Sequence, residues 1–312
     1  MTGVVLRPTV NLKNSKHLSS GFVMPDVALS LPPENPVPTV PVERKIAICG
    51  LIDVRNEKGL ELGPLSRPIV RPEEGDIRYI DHATTDELRK KYIVNDGHNV
   101  DEFVEISYVW NGGRLRDVID DGTVFDYALA SHVIEHVPDV IGWLTDILSV
   151  LKDGGLLGLA IPDKRYTFDR YRTPTSPAIF LDHWMRQPRA HTAQQLFDHF
   201  SQVVKVGNDE IMALFDGKDP VTERHSTDEF ALNIVRHVSS TGEYLDCHAS
   251  VFTPRSLLEA LKILVPLGII EAVVADFYDT RYYSQEFVCV LRKSKSRDIS
   301  SIDDLLRRLP PG

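Results

Sequence analysis

The chain is poor in every feature of a disulfide-held, membrane-spanning or nucleic-acid-binding protein. It has three cysteines in 312 residues, Cys49, Cys247 and Cys289. No two share a Cys-x-x-Cys spacing, and an odd, sparse set reads as reduced thiols. The longest apolar runs, such as Leu156 to Ile161, fall far short of the roughly 20 residues of a membrane helix. No charged stretch followed by an apolar one opens the sequence, so no signal peptide is read. These absences predict a cytoplasmic protein with no membrane partner. Basic charge is in deficit too, with 35 Lys and Arg against 45 Asp and Glu, a formal net charge of -10. A nucleic-acid partner calls for a basic face, and none is expected. Nor does a Gly-x-Gly-x-x-Gly loop follow any apolar segment, which removes the phosphate cradle of a dinucleotide site.

What is present is a chain with 42% hydrophobic residues, enough for a full core. Residues 1–42 are Pro-rich and aperiodic, and read as an extended arm. Such an arm is expected to pack on the body or on a second copy in a homodimer, or to be a mobile leader. Residues 43–292 alternate helical and strand-like patterns, which predicts a parallel sheet flanked by helices. Lys45 to Arg55 reads as a helix or a short extra strand. Strands are expected at Gly59–Leu62, at Ile77–Ile80 ending on Asp81, at Phe103–Trp110, at Phe125–Ala130 and at Leu156–Ile161. A closing antiparallel hairpin is expected from Ile269–Phe277 and Glu286–Leu291. Helices are expected at Thr85–Tyr92, at Val140–Leu151 and from Thr253-Pro254 to Leu264, where Thr caps and Pro takes the first position. Residues 163–250 break the rhythm and read as an inserted, α-rich substrate lid. Residues 293–312 form a polar tail with a short amphipathic helix near Ile302–Leu309. The fold class is therefore α/β, Rossmann-like, a mostly parallel seven-stranded sheet with an antiparallel last strand.

Ligands in such a sheet bind at the carboxyl ends of the strands. Glu61-Leu62-Gly63-Pro64 closes the first strand, and its glycine lets backbone approach a ligand. Asp81 closes the second, about twenty residues on, where an acidic side chain holds ribose hydroxyls. S-adenosylmethionine carries no phosphate, so the missing phosphate loop favours it over NAD. By itself Glu-x-Gly supports no more than a strand followed by a turn.

A longer block follows, Phe125-Asp126-Tyr127-Ala128-Leu129-Ala130-Ser131-His132-Val133-Ile134-Glu135-His136-Val137-Pro138-Asp139. After a helix come Leu151-Lys152-Asp153-Gly154-Gly155 and the fifth strand. This order resembles class I S-adenosylmethionine-dependent methyltransferases from Gly59 to Pro162. Gly59 to Pro68, Tyr79-Ile80-Asp81-His82, Ile161 to Tyr166, Asp246-Cys247-His248 and Val251 to Pro254 narrow the resemblance. They are similar to a bacterial subgroup associated with sugar, polysaccharide or natural-product biosynthesis. The departure is Gly63-Pro64-Leu65, where most class I members carry a glycine-rich turn.

The resemblance implies roles. Glu61, Gly63 and Pro64 would line the amino-acid end of the cofactor, Asp81 with His82 its ribose, the turn from Asn111 and Gly112 to Leu115 its adenine. Ser131 and His132 would lie beneath the methionine portion. Methyl transfer to a hydroxyl needs alignment, exclusion of water and a base, and His136, His132 and Asp163 are the candidates. Lys164, Arg165, Tyr166, His199 and His248 are expected to meet the substrate, a small molecule or sugar. Asp198 and Asp246 adjoin the last two, and Tyr171 and Trp184 are further stacking candidates. His132-x-x-Glu135-His136 formally matches a zinc-protease pattern, which its place after a core strand argues against. No metal is expected, Glu135 and His136 being read as orienting the next helix. An alternative puts a divalent metal on His132, Glu135 and His136, completed by His199, His225, His237 or His248. The inserted region holds six histidines, of which His183, His191 and His199 fall eight apart, as if along one helix. The expected activity is methyl transfer to a hydroxyl, oxygen being preferred to nitrogen. The alternative is a non-catalytic scaffold or cofactor-binding module in a biosynthetic complex.

Overall fold

The computed structural model describes residues 41–93 and 99–310. The arm through residue 40, and the homodimer contact expected of it, lie outside these. Seven strands form one sheet, in the order β3-β2-β1-β4-β5-β7-β6. They are β1 (Gly59–Leu62), β2 (Ile77–Asp81), β3 (Tyr108–Val109), β4 (Phe125–Ser131), β5 (Leu151–Pro162), β6 (Ala272–Tyr278) and β7 (Glu286–Lys293). The first five pair in parallel, and β7 runs antiparallel to both β5 and β6. One strand thus opposes the other six, as expected. The order reverses between β1 and β4, which places the ligand crevice at their carboxyl ends.

Strand alternation sorts side chains onto two faces. Ala128 and Ala130 of β4 join Leu60, Leu62, Leu157 and Leu159 in the larger core. Its covering helices are α4 (Val140–Val150), α9 (Pro254–Leu264) and α10 (Ser300–Arg308). Leu257, Leu258, Leu261 and Leu264 of α9 are all buried there, each contributing roughly 1.5–3 kcal/mol. Tyr127 and Leu129 face the other way, into a core shared with Ile48, Val70 and Tyr79. Ile48 comes from α1 (Pro41–Cys49). Two glycines permit this packing. A Cβ at Gly158 would fall 2.7 Å from Ile48 Cγ1, and one at Gly59 2.3 Å from the Tyr127 ring.

Residues 163–250 carry α5 (Pro177–Arg186), α6 (Ala193–Gln202), α7 (Asn208–Phe215) and α8 (Asp228–Thr241), the α-rich insertion. Two short helices, α2 (Thr85–Tyr92) and α3 (Leu115–Val118), flank β3 in sequence. In α9 the Thr253 hydroxyl accepts from Ser256 N–H ahead of Pro254, as its sequence implies. No helix among the described residues is long and apolar enough to cross a membrane.

Differences from expectation have local causes. The third strand shrinks to Tyr108–Val109 because Val104 N–H donates to the Leu65 carbonyl and Ile106 N–H to the Thr85 hydroxyl. The fifth strand starts early, at Leu151, with Lys152–Gly155 bulged out of its pairing with β4. Gly154 takes a φ of 79° within that bulge. Ile269 and Ile270 are not strand, since both N–H groups close on the Leu264 carbonyl at the end of α9. His183, His191 and His199 do not share a helix: they lie on α5, in the connection, and on α6. In the tail, α10 buries Ile302 in the larger core, and Arg255 holds the carbonyls of Leu306, Leu309 and Pro310.

Candidate active site

β1 runs into Gly63, whose φ of 65° glycine adopts without steric cost. Pro64, Pro68 and Pro72 then interrupt the link to β2, withholding N–H groups a helix would need. Glu61 organises this link. Its carboxylate accepts from Ile69 N–H at 2.7 Å and Val70 N–H at 3.2 Å. Burial pushes the acid up to about 8 against those two donors. The Glu61 side chain is thus committed to the loop, and Gly63-Pro64 alone stands at the end of β1.

Asp81 closes β2. Its Oδ1 accepts from the His82 backbone N–H at 2.7 Å and faces His82 Nδ1 at 2.5 Å. Lys91 Nζ lies 3.1 Å from His82 Nε2. Lysine only donates, so Nε2 accepts and Nδ1 carries the proton toward Asp81. One carboxylate oxygen is therefore pinned. The other, Oδ2, is buried and has no hydrogen-bond partner. Asn111 and Gly112 lie exposed just past β3, at the same end of the sheet.

β4 ends on Ser131, whose hydroxyl is likewise buried and unpartnered. His132 follows with a φ of 55°, a left-handed conformation costing a non-glycine residue roughly 1–3 kcal/mol. That turn sends the imidazole sideways, and Nε2 meets Glu286 Oε2 at 2.6 Å. Arg44 of α1 grips the same carboxylate with Nε at 2.6 Å and Nη2 at 2.7 Å. Burial opposes ionisation of Glu286, but His132 and Arg44 outweigh it and hold the acid down at about 2. Neither Arg44 nor Glu286 was singled out from the sequence.

Behind His132 lies a second buried group. His136 turns Nδ1 to Asp246 at 3.2 Å. Burial favours its neutral form, yet Asp246 and Glu135 outweigh burial and raise it to about 9. His248 Nδ1 meets Asp169 at 2.5 Å, and buried Arg172 pairs Asp169 from the far side at 2.7 Å. Burial works against Asp169 too, but His248 and Arg172 hold it well below the carboxylate range. The rings of His136 and His248 meet edge to face, 4.7 Å apart. His199 Nδ1 accepts the His248 backbone N–H; burial and Arg172 keep His199 neutral. Among the described residues, Glu135, His136 and His248 are the group whose ligand-type atoms lie close enough together to hold a metal ion. His132 stands outside it with Nε2 taken by Glu286, and His237 pairs with Glu243 instead.

Past β5 the expectations change. Asp163 is fully buried. Its oxygens accept from the Arg165 backbone and guanidinium and from the Thr280 hydroxyl. With these donors on both oxygens, Asp163 braces the turn after β5. Arg165 is drawn to that brace, and Lys164 donates to the Arg170 carbonyl at 2.7 Å. Tyr166 stacks on Phe215 of α7, centroids 4.0 Å apart at 9°. Exposed Tyr282 and Tyr283 flank Phe215. Trp184 packs against the larger core, and Tyr171 lies under Arg170.

Residues 51–203 match the family model described as a methyltransferase domain. No curated protein sequence matches the chain. Solved structures similar to it include a putative hemolysin from Streptococcus thermophilus, 12% identical, covering 86% of this chain and 70% of that one, TM-score 0.36. The CcbJ methyltransferase from Streptomyces caelestis is 10% identical over 82% of this chain and 97% of that one, TM-score 0.41. An S-adenosylmethionine-dependent methyltransferase from Clostridium acetobutylicum is 9% identical over 81% and 90%, TM-score 0.41.

Proposed function

We propose, for a chain whose residues 51–203 belong to the methyltransferase-domain family and whose sheet is of the class I S-adenosylmethionine-dependent kind, methyl transfer to a hydroxyl of a small-molecule or sugar acceptor. The supporting observation is Asp81 Oδ2, a buried carboxylate oxygen with no partner at the end of the second strand. A buried unpaired acceptor is costly, and a ribose hydroxyl is the donor that suits this one. Gly63-Pro64, Ser131 and the Asn111-Gly112 turn stand at the neighbouring strand ends and would hold the rest of the cofactor. S-adenosylmethionine, when bound, supplies a sulfonium-activated methyl group.

The chain's own task is to orient the acceptor, exclude water and take a proton. Glu286, kept ionised by Arg44, accepts from Nε2–H of His132 and leaves Nδ1 with the basic lone pair. This makes His132 the base, with Glu286 and Arg44 positioning it. The Tyr166 and Phe215 stack, with Tyr282 and Tyr283, supports a ring-shaped acceptor, since such faces pack on aromatic or sugar rings.

Calorimetry with S-adenosylmethionine and with NAD tests the cofactor, and mass spectrometry of candidate acceptors for the gain of one methylene tests the transfer. Binding of NAD alone, or of neither ligand, sinks the reading. His132→Asn lowers kcat by about 100- to 10,000-fold, the range of a lost general base, while S-adenosylmethionine affinity holds. An unchanged kcat removes His132 from the proton's path.

A further inference from the structure

Glu135, His136 and His248 offer three ligand-type atoms that all lie within 4.8 Å of one another, every residue buried. Glu135 and His136 come from the turn Ile134–His136, directly after β4. His248 comes from the segment that joins α8 to α9. A buried His and Glu often satisfy one another, so proximity alone decides nothing. The hydrogen bonds around them discriminate.

Both imidazoles are anchored from outside the cluster. Nδ1 of His136 goes to Asp246, and Nδ1 of His248 to Asp169. A carboxylate on one ring nitrogen fixes the tautomer and turns the other nitrogen's lone pair inward, as outer-shell carboxylates do for metal-bound histidines. The inward Nε2 of His136 stands 3.8 Å from Glu135 Oε1. That is too long for a hydrogen bond. It is close to the separation of about 3.4 Å between two ligands each roughly 2.1 Å from one tetrahedral ion. Glu135 Oε2 is buried with no hydrogen-bond partner, and no Lys or Arg is paired with this carboxylate among the described residues. Arg172 is engaged one layer out, on Asp169 and Asp198. The inner layer therefore holds a carboxylate with one buried oxygen, Oε2, that has no donor, and with the other, Oε1, 3.8 Å from His136 Nε2. The rival account is an all-protein network, in which protonated His136 bridges Asp246 and Glu135.

We propose that Glu135, His136 and His248 bind one divalent transition-metal ion. Two imidazoles and a carboxylate suit zinc, cobalt, nickel or manganese, and three protein ligands leave a coordination position open. His132 Nδ1 stands 3.7 Å from Glu135 Oε1, so the ion adjoins the His132 and Glu286 pair. The open position takes the acceptor's oxygen, a role that rests on the methyl-transfer reading. Metal binding itself does not.

The test uses the full, untagged chain, stripped with chelator and then dialysed against Zn2+ or Co2+ without S-adenosylmethionine. Elemental analysis and the visible Co2+ spectrum report stoichiometry and affinity. One ion per chain is expected. Glu135→Gln and His248→Ala are each expected to weaken it by at least tenfold, and Asp169→Asn by about 10- to 100-fold, in samples whose circular dichroism matches the wild type. X-ray absorption of the wild-type zinc complex needs no variant, and is expected to show two imidazoles with oxygen. No stoichiometric ion, unchanged affinity in folded Glu135→Gln and His248→Ala, or a zinc shell without two imidazoles overturns the site. Calorimetry with S-adenosylmethionine on the same stripped samples keeps the readings apart. Cofactor binding without metal binding sinks the metal alone, and metal binding without cofactor binding sinks the methyl-transfer reading alone.

Discussion

Replacing Asp81 with Asn tests the cofactor site with a change of one atom. Two donors on His82 already occupy Oδ1 of Asp81. An amide oxygen still accepts from both, though less strongly than a carboxylate, so the local turn survives. The other oxygen, buried and unpartnered, becomes an NH2 group, and its acceptor capacity is lost. A hydrogen bond to a charged acceptor is worth about 1.5–3 kcal/mol, which predicts roughly 10- to 150-fold weaker S-adenosylmethionine binding. Stability moves the other way or not at all, because burying an unpaired carboxylate oxygen opposes folding and the amide relieves that charge. Titration calorimetry of wild type and variant gives the affinity, and scanning calorimetry of the same samples gives Tm. Affinity within about twofold of wild type means that Oδ2 receives no cofactor hydroxyl. A loss of affinity in step with a fall in Tm means that Asp81 acts by holding the His82 turn.

Two other substitutions probe the neighbouring groups. Glu286 is held at about 2, below the usual carboxylate value, so the stability it contributes is complete above about pH 4.5 and is lost as pH falls through about 2. That shift corresponds to about 3 kcal/mol, and Glu286→Gln is expected to flatten this acid limb in urea unfolding followed across pH; an unaltered limb refutes the assignment. Asp163→Asn is expected to cost about 2 kcal/mol of stability, below the roughly 3–5 kcal/mol of a fully buried broken pair because Arg165 is partly exposed. The pH profile of kcat is expected to stay in place, and a lost acid limb would restore Asp163 as a base.

Much of the sheet was legible because its signals are local. Gly59–Leu62 is a short segment stopped by Gly63-Pro64, Thr85–Tyr92 has its cap and its charges in the right turns, and Pro254–Leu264 is preceded by its own N-cap. Elements failed where the deciding partner is remote. Phe103–Ser107 has a strand's composition, but the N–H groups of Phe103, Val104 and Ile106 go to Val100, Leu65 and Thr85. Asp163 sits where a base belongs, and only the fold reveals that Arg165 and Thr280 fill its oxygens. The hydrogen bonds of Glu61 were hidden for the same reason, since nothing near it in the chain announces that Ile69 and Val70 will donate to it.

The largest omission, Arg44 and Glu286 around His132, follows from a general asymmetry of mostly parallel sheets. Parallel strands deliver their last residues to the ligand edge, so a search at strand ends finds Gly63, Asp81 and Ser131. The antiparallel strand delivers its first residues there instead. β7 begins at Glu286, paired with Pro162 at the end of β5, which puts its opening carboxylate level with the end of β4. Glu286 is 154 residues from His132, and Arg44 a further step away on a helix that crosses the opposite face. The expected antiparallel hairpin already contained this information. Once one strand is assigned as reversed, an ionisable residue at its start belongs among the candidates for the site, on the same footing as those at the ends of the others.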